Sequence, residues 1–197
     1  MSAKAVHFLA IPGFADWEAA HALAEVRRTG GYEVRVVGIA REPIQSMGGV
    51  TVLPSFSIDQ VTPSDVAIFV LPGGERWEKE PLEPQLISVL KTLDEVGVPI
   101  AAICAATTAV ARVGLLHGRR HTSNGLDYLK EQVPDYKESA AYVDEPAVRD
   151  RGLITASGLG DVEFGKEILA ELNVLGDDDR ALWASMFRSG RFPDAAS

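Results

Sequence analysis

At 197 residues, with 46% hydrophobic and 24% charged side chains, the chain has the composition of a soluble globular protein and enough length for one well-packed domain. A formal net charge of -9 argues against a general binder of nucleic acid or anionic membrane, because both need a basic face; the short basic patch Arg119-Arg120-His121 reads as an exposed turn. The single cysteine, Cys104, excludes an intramolecular disulfide, and the absence of any apolar stretch near the ~20 residues of a membrane span leaves a cytoplasmic protein as the expectation.

Ala5–Ile11 is a continuous apolar run stopped by Pro12-Gly13, the pattern of a central strand buried on both faces, in which His7 reads as a core histidine. From Asp16 to Arg28, Trp17, Ala20, Leu23 and Ala24 recur at helical spacing until Gly30-Gly31 ends the pattern. Tyr32–Ile39 follows as a second strand. The short runs around Gly48-Gly49, between Ile44 and Leu53, predict a β-hairpin. Val66–Leu71 is a third core strand, halted by Pro72-Gly73-Gly74, and a helix is predicted from about Glu83 to Val96. Val98–Ile103 then leads through Cys104 into a helix ending at Gly114. Asp127–Gln132 is predicted helical, Gly152–Ala156 a strand and Val162–Leu172 a helix. Strands alternating with helices imply a doubly wound α/β domain, its sheet mostly parallel with helices on both faces and its ligands beyond the carboxyl ends of the strands. That domain is assigned to residues 1–175. Residues 176–197 are read as a helical extension whose acidic start, Asp177-Asp178-Asp179, precedes Trp183 and Phe187, two aromatics that pack on the domain or at a dimer contact.

The loops after successive strands of such a sheet converge on one edge. They bring together Asp16, Trp17 and Glu18 after the first strand, Gly73-Gly74 after the third, and Cys104-Ala105 after the next. Cys104 stands at a strand-to-helix junction, the position of a nucleophile elbow, where unpaired helix N–H groups favour a thiolate. The competing reading is a small buried hydrophobe. Gly73, Gly74 and Ala105 can offer backbone N–H groups to an oxyanion. A carboxyl beside the sulfur either repels a thiolate, if ionised, or donates to it, if protonated; burial next to an anionic sulfur favours the protonated form. Asp16 fits ordinary helix N-terminal chemistry better than Glu18, so Glu18 is the expected acid and Asp16 an accessory. One cysteine and four scattered histidines, His7, His21, His117 and His121, lack metal-ligand spacing, and neither metal nor cofactor is expected.

Four stretches, Gly13–Ala19, Val70–Gly74, Ile100–Thr107 and Gly152–Gly158, resemble in order and spacing the ThiJ/PfpI (DJ-one-like) superfamily, with its class I glutamine amidotransferase-like, flavodoxin-like fold, over roughly residues 4–173. The resemblance implies an elbow nucleophile at Cys104, an interacting protonated glutamate at Glu18, backbone donors at Gly73, Gly74 and Ala105, and a homodimer or larger assembly. Activities described for the superfamily range over peptidase, glyoxalase-type conversion of 2-oxoaldehydes, deglycation, isocyanide hydration, chaperoning and oxidative-stress sensing. Peptidase-like members place a histidine directly after the cysteine, where this chain has Ala105; glyoxalase-like members carry one at the position aligned with Asn124. His121 lies three residues before Asn124, an odd offset that along a strand points to the opposite face, although a loop can still bring His121 or His117 near; His121 and Asn124 stand with Asp16 as accessory candidates. An arginine that some sensor-type relatives place near the cysteine is replaced by Gly48.

The expected function is therefore a cysteine-dependent enzyme acting on a small electrophilic carbonyl or amide. The alternatives are a non-catalytic redox or stress protein with an oxidisable Cys104 and, more weakly, a peptidase or a glutamine amidotransferase, whose Cys-His-Glu set this chain lacks because it contains no His-x-Glu pair.

Overall fold

The computed structural model describes residues 4–193. Ala5–Leu9, buried at every position, forms β1. Helix α1 (Ala20–Arg28) carries the chain back to β2 (Val34–Gly38), which pairs parallel to β1. The hairpin β3 (Ile44–Gln45) and β4 (Thr51–Val52) stands apart as a two-stranded sheet, and β5 (Phe56–Ser57) joins β2 at the edge. The chain then crosses to the other side of β1 with β6 (Val66–Leu71), followed by α2 (Arg76–Lys79), α3 (Pro84–Glu95), β7 (Ile100–Ile103), α4 (Ala106–Val113) and α5 (Leu126–Gln132). Strand β8 (Ala147–Asp150) runs antiparallel to β9 (Leu153–Ala156), and β9 pairs parallel to β7. The sheet order is β5-β2-β1-β6-β7-β9-β8, parallel except at β8.

Helices α6 (Asp161–Glu171) and α1 pack together, while on the other side of the sheet α4 contacts α2, α3 and α5. This is the doubly wound, flavodoxin-like α/β architecture expected from the sequence. The chain steps outward from β1 to β2 and β5 on one side and then returns past β1 to β6 on the other, a switch in direction that opens a crevice at the carboxyl ends of β1 and β6, the place where such sheets bind ligands.

Helix α7 (Asp177–Ser189) lies against α6. Trp183 is buried there and donates its indole N–H to Glu25 of α1 at 3.2 Å. A Cβ at Gly165 would sit 2.9 Å from the Trp183 ring, so glycine at that position lets the two helices meet. The last four residues of the extension, 194–197, lie outside the described residues. Among the described residues, no helix is long and apolar enough to cross a membrane.

Four elements differ from expectation for identifiable reasons. Helix α1 begins at Ala20 rather than Asp16, because Asp16 is committed elsewhere: its carboxylate accepts from the Ser46 hydroxyl and from the Gly48 N–H at 2.7 Å, tying the loop after β1 to the β3–β4 hairpin. Strand β5 is a two-residue edge strand paired to the more distant β2, and β8, whose Ala147-Val148-Arg149-Asp150 sequence lacks an apolar run, is an edge strand that forms a tight hairpin with β9, the next strand in the chain. Helix α2 is a single turn following Gly73-Gly74, a stretch read as a loop.

Candidate active site

Cys104 lies between the end of β7 and the start of α4 with φ +59°, a left-handed backbone that non-glycine residues avoid at a cost of roughly 1–2 kcal/mol. Surrounding hydrogen bonds hold it there. Its N–H donates to Ala156 of β9 at 2.9 Å, and its carbonyl accepts from the Thr107 N–H at 3.1 Å and the Thr107 hydroxyl at 2.6 Å. The Thr107 hydroxyl is in turn 2.6 Å from that of Ser123. Such strain at one residue, over-determined by its neighbours, is characteristic of functional positions. The side chain is half-buried in a cleft of about 660 Å³, whose walls include Trp17, Glu18, Ser123, Asn124, Gly158 and Leu159.

Glu18 is only 1% exposed, although it lines this cleft. Its Oε2 accepts the Gly73 N–H. A Cβ at Gly73 would stand 2.7 Å from both Cys104 Cβ and Glu18 Oε2, so the absence of a side chain is what lets carboxyl, thiol and loop come together. This engagement changes the role open to Gly73: its N–H is already spent on Glu18.

Burial pushes the Glu18 carboxyl up to about 7, countered by the Gly73 N–H and the Cys104 thiol and helped by the charge of Asp161. Burial and then the Glu18 charge push the Cys104 thiol up to about 11, against the pull of Asn124 and of the Ala105 N–H. Desolvation and the adjacent carboxyl thus act against the helix-start N–H groups that favour a thiolate. Thiol and carboxyl form a coupled pair that gives up its first proton near neutrality and holds the second far longer, because two adjacent buried anions repel.

Asn124 donates from Nδ2 to the Cys104 sulfur at 3.3 Å, while its Oδ1 accepts the Gly158 N–H at 2.9 Å. Gly158 itself presses on the sulfur, as a Cβ there would sit 2.8 Å from Sγ. His121 does not join the site. It is fully buried, its Nδ1 2.7 Å from the Arg119 carbonyl and its Nε2 2.6 Å from the Tyr136 hydroxyl, and its ring lies edge-on to Tyr136 and Tyr142. His117 is exposed and bonded to Glu138 at 2.9 Å. Asp16, at the hairpin, serves the loop and not the sulfur. Among the described residues, no group of three or more His, Cys, Asp or Glu side chains is placed to hold a metal. Gly158 and Ser123 are the members sequence reasoning passed over as working parts. Their signal was available, since Gly158 follows β9 at the same sheet edge as the other loops.

The model of the DJ-1/PfpI family matches residues 4–171. This chain belongs to the DJ-1/PfpI family. It is 36% identical over 191 residues to the YoaZ protein of Bacillus subtilis, named an uncharacterized protease, covering 93% of this chain and 90% of that one. It is 29% identical over 157 residues to the deglycase TK1284 of Thermococcus kodakarensis, covering 80% and 92%. The crystal structure of the DJ-1 superfamily protein Atu0886 from Agrobacterium tumefaciens superposes with a TM-score of 0.87 at 34% identity, covering 95% of this chain and all of that one. Family membership fixes the fold, but a fold of this kind hosts many reactions, and the relatives' names diverge accordingly.

Proposed function

We propose that this chain is a cysteine-dependent enzyme that acts on a small electrophilic carbonyl, a 2-oxoaldehyde being the preferred class, with Cys104 as nucleophile and Glu18 as proton carrier. The observation that carries this reading is the buried Glu18 carboxyl beside the Cys104 thiol in one cleft, with no histidine among the residues lining it. In its ionised form Glu18 takes the thiol proton as sulfur attacks the carbonyl carbon. The C=O π pair moves to oxygen, where the Ala105 and Gly74 N–H groups face the developing charge, and Glu18 returns the proton to that oxygen to give a hemithioacetal. The S–H has then added across the C=O with nothing left over. Amide cleavage asks for more, because the departing amine needs its own proton donor.

The test is a comparison of wild type and Cys104→Ala for loss of methylglyoxal and for release of ammonia from glutamine, with mass spectrometry of Cys104 after graded peroxide. Cys104-dependent loss of methylglyoxal, with no ammonia and slow oxidation, is the expected result. No Cys104-dependent turnover together with oxidation at low peroxide would hand the site to the sensor reading.

A further inference from the structure

We propose that Asn124 is the hydrogen-bond donor that makes the Cys104 sulfur a usable nucleophile, and that its fixed orientation leaves Glu18 to receive the thiol proton. The proposal rests on the Cys104–Glu18 reading of the site and specifies how the sulfur is activated within it.

A primary amide offers an acceptor oxygen and two donor hydrogens, and which end faces a partner depends on its surroundings. At Asn124 the orientation is decided by a group that can only donate: the Gly158 backbone N–H, 2.9 Å from Oδ1. With the oxygen committed there, the NH₂ faces sulfur, and Nδ2 stands 3.3 Å from Sγ. The arrangement is close-packed on both sides, since any Cβ at Gly158 would lie 2.8 Å from Sγ and 3.5 Å from Oδ1.

The placement of Asn124 is equally determined. It follows Thr122, whose N–H donates to the Thr155 hydroxyl at 2.9 Å, and Ser123, whose hydroxyl meets that of Thr107 at 2.6 Å. Thr107 in turn bonds the carbonyl of Cys104 itself. Three consecutive residues therefore anchor to β9, to the helix behind the elbow and to the reacting sulfur. An amide donor stabilises a thiolate but cannot take up a proton at ordinary pH. Asn124 thus acts in the direction opposite to burial and to the Glu18 charge, and the proton that leaves sulfur goes to the carboxyl on its other side. A histidine at the same position would supply a second base; asparagine makes this a one-base site suited to addition.

The experiment measures alkylation of Cys104 by iodoacetamide, in which sulfur displaces iodide, in wild type, Asn124→Ala and Asn124→Asp, across a range of pH. Asn124→Asp keeps an oxygen for the Gly158 N–H but loses the donor to sulfur, so it separates loop anchoring from activation. At about pH 8 the expected rate is lower by ~tenfold in Asn124→Ala and lower still in Asn124→Asp, with both rate profiles displaced to higher pH. An Asn124→Asp rate within about twofold of wild type, or an Asn124→Ala profile that coincides with wild type, would overturn the proposal. Should Asn124→Asp fail to fold by circular dichroism, the Asn124→Ala profile decides alone. Alkylation reads the sulfur and not turnover, so failure of the 2-oxoaldehyde assignment leaves this test intact.

Discussion

Replacing Glu18 by glutamine removes an ionisable group from the core while keeping an acceptor for the Gly73 N–H, and its effect on stability depends on pH. Burial lifts the carboxyl from 4.5 to about 7 in the folded protein. Each unit of such a shift corresponds to about 1.4 kcal/mol, so ionising Glu18 in place costs up to about 3 kcal/mol relative to the unfolded chain. The sign follows from which state holds the proton more tightly. The folded state does, so the contribution of Glu18 is fully present below the ordinary carboxyl range and is lost as pH rises through about 7. Glutamine has no such dependence. Thermal unfolding followed by circular dichroism at about pH 5 and about pH 8 should therefore show Glu18→Gln gaining on wild type at the higher pH by on the order of 5–10 °C for a chain of this length. A melting difference that stays constant between the two pH values would mean that Glu18 does not titrate in this window, and the proton-carrier role would fall with it.

Two further substitutions test the geometry around the sulfur. Gly158→Ala places a methyl 2.8 Å from Sγ, against the 3.5–4.0 Å of ordinary contact; because Leu159 beside it is exposed and the loop can yield, melting should fall by only a few degrees while the alkylation rate of Cys104 drops by on the order of 10²-fold. Equal reactivity in the two proteins would show that the sulfur is not confined as described. His121→Phe strands the Tyr136 hydroxyl and the Arg119 carbonyl, so chemical denaturation should show a loss of about 1–3 kcal/mol, whereas the pH profile of Cys104 alkylation should match wild type; a displaced profile would place His121 in the site after all.

The strand pattern was legible because fully buried parallel strands announce themselves as unbroken apolar runs: Ala5–Leu9, Val66–Leu71 and Ile100–Ile103 each lie within the segment read as a strand. The elbow was legible for a related reason, since Cys104 sits where such a run gives way to small helix-forming residues. The preference for Glu18 over Asp16 as the residue beside the thiol rested on Asp16 belonging to a first helical turn. The structure separates them differently: Asp16 serves the hairpin through Ser46 and Gly48, contacts across about thirty residues of sequence that no local pattern encodes. The balance of forces on the thiol was not legible. Helix-end donors are visible in sequence, but the burial of Glu18 and Cys104 that opposes them is a property of the assembled cleft. Likewise Gly73 was read as an oxyanion donor because its neighbours allowed it, and only the fold shows its N–H turned to Glu18.

Reversible addition of a carbonyl compound to the Cys104 sulfur is read by measuring iodoacetamide labelling of Cys104, by mass spectrometry, in the presence of increasing methylglyoxal and, separately, of propane-1,2-diol, which matches its carbon skeleton but has no carbonyl. Addition to sulfur predicts saturable protection by methylglyoxal that is reversed when the aldehyde is removed, and no protection by the diol. Labelling unaffected by methylglyoxal, or slowed equally by the diol, would contradict it.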